Sequence, residues 1–378
     1  MLSGPALLCR WRGGLLHLDL HERTDAGLGL IETSRTPQAY WTATQSAFTS
    51  AVAAAGEISR DFRVGSAVMR LRFAGTALVE PLTRALAGIA IEAVARPDLT
   101  ICCWDSASTG TPMPAPYWPM SAYGPKGHII GFNTATLHTL YNPGIRTLHL
   151  YDRRSSSGQY WVADAERIPQ SQRSAPLREF LHWWSRGMPL QLMHAGAVGY
   201  ADGGVLLAGK SGSGKSTTAL ACLASDLLFA SDDYVCVATT AQPWVHSLYS
   251  TAKLVPGNLS RFPELSGKLS NPDRLTTEKA MVNVHAHFPA KVLSGFPIRA
   301  ILLPRVTGAR DTQLKPATAA DAVLGLAPTT VAQLEGHSRE TFAKIVALSG
   351  SVPSYWLDVG TDLTLIPAAI RDSLASHG

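Results

Sequence analysis

Two periods of apolar residues run through this chain, and where they change the chain divides. In the first half, short alternating or apolar runs at 15–20, 67–73, 99–104, 128–132 and 147–151 predict strands, while 42–55 and 76–89 carry their apolar residues at helical spacing. Four prolines with glycine and serine make 106–119 a surface loop, and residues 155–158 supply the turn of a hairpin across 151–163. Leu177, Phe180, Leu181 and Trp184 then mark one face of a helix over 175–186, stopped by Gly187 and Pro189. Trp183 and Trp184 at this spacing read as core rather than as a base-stacking platform.

Past residue 190 the pattern changes. Apolar segments at 190–198 and 205–208 flank a turn containing Ala201-Asp202-Gly203, which predicts a hairpin whose second strand runs into a glycine-rich turn. Further strands are expected at 226–231, at 300–303 up to Pro304, and at 351–357. Helices are expected at 317–326, 338–348 and 365–374. The fold class is therefore α/β, with a mixed α+β domain over 1–187 and a second domain over 188–378. No internal repeat appears.

Composition agrees with two packed domains. With 378 residues the chain exceeds the length over which one core usually grows, and 46% hydrophobic against 16% charged residues excludes wholesale disorder. Thirty-three basic against 28 acidic residues leave +5, and no run concentrates it. Arg10 with Arg12 and Arg153 with Arg154 read as solvated faces, so no nucleic-acid partner is expected. The five cysteines, Cys9, Cys102, Cys103, Cys222 and Cys236, are odd in number and lack C-x-x-C spacing, which fits reduced thiols and a cytoplasmic protein. The apolar run 2–9 is short, contains Pro5 and precedes its arginines, the wrong layout for a secretion signal. No stretch reaches 18 apolar residues, so no membrane span is expected.

The chemistry concentrates at 209–216, which reads GKSGSGKS and satisfies the phosphate-loop pattern G-x-x-x-x-G-K-[ST], with an apolar strand before it and a helical run after it. Gly209, Gly212 and Gly214 permit positive φ, so that backbone N–H groups of Lys210, Ser211, Ser213 and their neighbours can face phosphate oxygens. The helix entered through Thr217 directs its positive end at the same anion. Lys215 can reach the β- and γ-phosphates, and Ser216 is a natural ligand for Mg²⁺. The pattern calls for a nucleoside triphosphate such as ATP and says nothing of the base.

Asp232 and Asp233 follow 17 and 18 positions after Lys215, at the end of a short strand. Two adjacent carboxylates there can divide the work, one holding Mg²⁺ and the other accepting a proton from an attacking hydroxyl, or they can simply close a hairpin. His194, 21 positions before Lys215, is either a satisfied core histidine or, beside such a loop, a group that orients a carboxylate or meets the γ-phosphate. Lys253, Arg299 and Arg305 are weaker candidates for phosphate contacts.

At these residues the chain resembles the kinase domain of HPr kinase/phosphorylase, whose core also runs from a histidine through a G-x-S-G-x-G-K-S loop to an A-D-D motif, here His194, GKSGSGKS and ASDDYV. The resemblance implies a P-loop kinase domain related to phosphoenolpyruvate carboxykinases. It also implies Asp233 as the general base, His194 as its support, Lys215 on the phosphates and Ser216 on magnesium. The family's E-x-R-G-x-G signature has no counterpart in SLYSTAKLVPGN, which offers Lys253 and no acid. That argues against phosphorolysis and against HPr itself as the substrate, and favours Asp232 as a metal contact.

AILLPRV at 300–306, LAPTTVAQL at 326–334 and VPSYWLDVG at 352–360 look like HPr-kinase-like proteins encoded beside ribosomally made peptides, among them lasso-peptide tailoring kinases acting on a C-terminal serine. The resulting expectation is an ATP- and Mg²⁺-dependent serine kinase of a peptide or protein acceptor. Its N-terminal domain would bind the acceptor or serve assembly, and the chain could form a homo-oligomer. An ATP-gated regulatory protein and a small-molecule kinase are the alternatives.

Overall fold

The computed structural model describes residues 36–124, 127–334 and 338–375. The expected strand at 15–20, together with Cys9, Arg10 and Arg12, lies outside them. Seven strands build the first sheet: β1 (Glu57–Val64), β2 (Ala67–Ala74), β3 (Ala90–Ile91), β4 (Leu99–Asp105), β5 (Leu137–Asn142), β6 (Thr147–Asp152) and β7 (Ser157–Val162), in the order β3-β1-β2-β4-β7-β6-β5. The β2-β4-β7 centre is parallel and the flanks are antiparallel. The expected β6-β7 hairpin is present, with Ser156 at φ 47° in its turn.

Period-two alternation sorts β4 cleanly. Cys102 and Trp104 face the helix Pro37–Ala55, which buries Tyr40, Trp41 and Phe48 against them. Ile101 and Cys103 face the opposite core, where the helix Arg178–Trp184 contributes Phe180, Leu181, Trp183 and Trp184. That second core also takes in Leu192, Tyr234, Cys236, Leu248 and Tyr249, so the first sheet packs on residues that lead directly into the phosphate loop and the paired acids. Trp183 and Trp184 are core, as read.

The second sheet has nine strands: β8 (Leu190–Met193), β9 (Gly196–Tyr200), β10 (Gly203–Leu207), β11 (Leu228–Ser231), β12 (Val235–Ala238), β13 (Trp244–His246), β16 (Gly295–Val306), β17 (Gln313–Ala317) and β18 (Ser354–Val359). Two more, β14 (Thr251–Leu254) and β15 (Ala280–Asn283), form a separate antiparallel ribbon. The main order is β11-β9-β10-β16-β13-β12-β8, with β18 on β16 and β17 on β18.

Side chains alternate here too. Val205 and Leu207 face the helices Lys215–Leu223 and Leu365–Ala375, whereas Leu206 faces the helices Ala319–Gln333 and Ser338–Ser351. Strands β10, β16 and β18 run parallel, so their C-terminal ends open on the same edge, the place where ligands of such sheets bind.

Some expectations are corrected. Residues 128–132 form isolated bridges and a turn rather than a strand, with Ile130 exposed. The helix expected at 76–89 is α-helical only over Val79–Thr83 and continues as a 3₁₀ helix, Arg84–Ile89. There the Arg84 carbonyl accepts from Asn283 Nδ2 at 3.0 Å and the Ala85 carbonyl from the Ser250 N–H at 2.8 Å, long-range bonds that draw these carbonyls outward. The 190–198 run breaks at His194, so the histidine lies in the bend between β8 and β9 rather than on a hairpin strand. The four described cysteines are free and buried. No described helix is long and apolar enough to cross a membrane.

Candidate functional site: a phosphate loop facing two carboxylates

The loop after β10 takes the backbone its glycines permit. Gly209, Gly212 and Gly214 have φ of 150°, 82° and 113°. At Gly209 a Cβ would lie 2.7 Å from Ser213 Oγ, so both conformation and crowding require glycine. The helix Lys215–Leu223 starts at Gly214 with no side chain capping it, which leaves its first N–H groups without a side-chain acceptor. Lys215 curls back over the loop, its Nζ donating to the Gly209 carbonyl at 2.6 Å and the Lys210 carbonyl at 3.3 Å. Burial lowers the pKa of its ammonium, and the charges of Asp232 and Asp233 partly oppose that shift.

Asp232 and Asp233 connect β11 to β12, but these strands do not pair with each other. β11 lies on β9, and β12 lies between β8 and β13. The acids therefore do not close a hairpin; they sit where the chain passes from one part of the sheet to another. Ser231 Oγ donates to the Tyr234 carbonyl at 2.7 Å and fixes the bend.

The two carboxylates have opposite environments. Asp232 is 2% exposed; its Oδ2 accepts the Lys253 backbone N–H at 2.8 Å, and its Oδ1 is buried without a hydrogen-bond partner. Burial, and then the charge of Asp233, push its pKa up, against the pull of the Lys253 N–H and the Ser216 hydroxyl. Burial would also raise Asp233, but the His194 hydrogen bond and the Lys253 ammonium outweigh it and hold this carboxyl well below the usual range. Its Oδ1 lies 3.0 Å from His194 Nε2, and its Oδ2 accepts from Lys253 Nζ at 2.6 Å.

His194 is itself positioned. Its N–H donates to Thr330 Oγ1 at 3.1 Å, and its ring meets Tyr234 edge-on with centroids 5.2 Å apart. Nδ1 is buried without a hydrogen-bond partner, so the ring is held through Nε2, which donates to the Asp233 carboxylate.

The loop and the acids share one cavity of about 260 Å³. It brings together His194, Lys210, Ser211, Gly212, Gly214, Lys215, Ser216, Thr217, Asp232, Asp233 and Lys253. Gly209 and Ser213 lie on the loop's other side, lining a neighbouring cavity.

The arginine candidates fall elsewhere. Arg299 sits near the start of β10, its Nη2 donating to the Asp202 carbonyl at 3.0 Å, at the opposite end of the strand from the loop. Arg305 pairs with Asp358, lies over the Trp356 ring at 4.8 Å and lines the neighbouring cavity. The sequence reading missed Lys279, Arg261 and Asn258, which also line the main cavity. They come from β15's approach and from the turn after β14, segments without any phosphate-binding spacing.

Among the described residues no group of three or more His, Cys, Asp or Glu could by itself hold a metal ion. These residues thus form no closed protein cage, whereas the unpartnered Asp232 Oδ1, on the same cavity as the Ser216 hydroxyl, suits a hard divalent cation such as Mg²⁺, which takes most of its ligands from phosphates and water.

No protein-family model matches the chain, and no curated protein matches it. Among solved structures it is similar to the Hpr(Ser) kinase/phosphatase from Coxiella burnetii, at 14% identity and a TM-score of 0.27, over 50% of this chain and 99% of that one.

Proposed function

We propose that this protein is an ATP- and Mg²⁺-dependent kinase that transfers the γ-phosphoryl group to a serine hydroxyl of a peptide or protein. The observation that carries the proposal is the Asp233 carboxylate, held ionised between His194 and Lys253 on the wall of the cavity that also contains the phosphate loop.

In this reading the loop N–H groups and Lys215 hold the phosphates and neutralise charge on them. Ser216 and Asp232 would hold Mg²⁺, which supplies further neutralisation of phosphate oxygens. Asp233 orients the acceptor hydroxyl and takes its proton as the new P–O bond forms and the bond from the γ phosphorus to the β–γ bridging oxygen breaks, releasing ADP. A carboxylate of depressed pKa does this late, when the hydroxyl has become more acidic. His194 keeps Asp233 Oδ1 in place through its Nε2–H, and Thr330 and Tyr234 keep His194 in place.

The acceptor class rests on the sequence resemblance at 300–306, 326–334 and 352–360, which favours the C-terminal serine of a lasso precursor peptide. The part over 1–187 is proposed to shape the acceptor site. Incubation with γ-labelled ATP and serine-terminated peptides tests the proposal. Labelled peptide should form with the native protein and not with Asp233→Asn, while nucleotide binding persists in both. Transfer by Asp233→Asn at near the native rate refutes the base assignment.

A further inference from the structure

We infer that the acceptor peptide carries an acidic residue two positions before its serine, and that a second cavity beside the β14–β15 ribbon, walled by Arg84 and Arg173, receives it. The inference rests on the proposed function and names a feature of its substrate. The ribbon joins the two cavities. Its rungs pair Thr251 with Asn283 and Lys253 with Met281. Ala252, Leu254, Ala280 and Val282 point into the core around the helix Lys215–Leu223, so alternation puts Thr251, Lys253, Met281 and Asn283 on the opposite face. On that face Lys253 lines the main cavity and reaches Asp233, whereas Thr251, Met281 and Asn283 line a second cavity of about 200 Å³. Glu80, Arg84 and Arg173, from the first part of the chain, complete its wall.

Lys253 and Thr251 are one same-face step apart, about 6.7 Å, which is also the rise of two residues in an extended peptide. A serine hydroxyl at Asp233 therefore brings the side chain two residues away, on the serine's own side of the peptide, level with Thr251. In a peptide that ends in serine, that residue lies on the N-terminal side. Charge then sets its chemistry. Arg84 Nη1 lies 3.3 Å from Glu80 Oε1 and Arg173 Nη1 3.9 Å from Glu80 Oε2, so two guanidiniums share one carboxylate and leave the wall net positive. Arg84 is tied to the ribbon, its carbonyl accepting from Asn283 Nδ2 at 3.0 Å, yet its side chain stays 47% exposed. A carboxylate entering here meets the cation in excess, with the Thr251 hydroxyl beside it, whereas a lysine would meet like charge.

Initial rates with γ-labelled ATP and short peptides of one sequence, ending in Glu-Ala-Ser, Gln-Ala-Ser or Ala-Glu-Ser, test this. For the native protein the KM of the Glu-Ala-Ser peptide should be about fivefold below that of the Gln-Ala-Ser peptide. Ala-Glu-Ser should show no such gain, because its acid sits on the other side of an extended chain. Arg84→Gln changes a half-exposed side chain and should fold; it is expected to bring the KM ratio of the first two peptides to about one. Equal KM values for those two peptides in the native protein, an equal gain with Ala-Glu-Ser, or a ratio that survives Arg84→Gln would overturn the inference. Free glutamate added to the Gln-Ala-Ser reaction should not raise its rate; if it does, the cavity takes a small regulatory anion and the inference fails. If the native protein binds the non-hydrolysable ATP analogue AMP-PNP but labels none of the peptides, the kinase reading itself fails and the inference with it. Labelling without discrimination removes the subsite alone.

Discussion

Asp232 is predicted to be costly to the empty protein and necessary to the loaded one, and Asp232→Asn separates the two effects. The buried, unpartnered Oδ1 of the native carboxylate stands next to a second charge on Asp233. Asparagine removes a buried negative charge that stands beside Asp233, worth about 1–3 kcal/mol, and weakening the Lys253 N–H bond by making its acceptor neutral returns on the order of 1 kcal/mol. The net expectation is a gain of about 1 kcal/mol, a rise in melting temperature of about 1–2 °C.

The pH dependence has a definite sign. A folded-state pKa raised above the unfolded value contributes stability below the unfolded pKa, near 4, and loses it as pH rises through the folded pKa. The gain from Asp232→Asn should therefore be present at pH 7 and vanish toward pH 4. With Mg²⁺ and AMP-PNP at about 100 times the dissociation constant, the native protein should gain about 2.7 kcal/mol and the variant little. Scanning calorimetry at both pH values, with and without ligand, measures all four cases. A lower melting temperature for ligand-free Asp232→Asn at pH 7, or an undiminished ligand shift, refutes the reasoning.

Gly209→Ala must place a Cβ 2.7 Å from Ser213 Oγ at a φ of 150°, and should lower stability by about 1–3 kcal/mol and weaken tripolyphosphate binding, read by denaturation and calorimetry. Lys253→Met removes the cation on Asp233 Oδ2, so the Asp233 pKa should rise, and the acid limb of the rate profile should move to higher pH. Asp61→Asn weakens a bidentate pair in which Arg70, itself 21% exposed, donates twice at 2.7 Å to a carboxylate 3% exposed, and should cost about 1–3 kcal/mol in urea unfolding. The Asp61 pKa is held below its usual value chiefly by Arg70, so that contribution is present above about pH 4 and is lost as pH falls through the folded pKa.

The phosphate loop could be read from the sequence because its geometry is local: three glycines, a lysine and a serine fix the turn and the helix start within eight residues. The paired acids were readable as a strand end, but their role depends on β11 and β12 leaving for different parts of the sheet, which no spacing encodes. Lys253 was a weak candidate in sequence and occupies the centre of the site, because β14 carries it there through its pairing with β15. β1 escaped notice because EISRDFRV looks solvated; its Asp61 is buried only because Arg70 and the Val94 N–H satisfy it. Arg299 and Arg305 were candidates by proximity to a strand end, and the register of β16 sends them to other neighbours.

The most direct test of a single metal–nucleotide site joining the loop to the acids is Mn²⁺ binding followed by electron paramagnetic resonance, with AMP-PNP present, for native protein, Ser216→Ala and Asp232→Asn. The account predicts one nucleotide-dependent Mn²⁺ site per chain in the native protein, weakened at least about tenfold in either variant. Native-like Mn²⁺ affinity in both variants would contradict it.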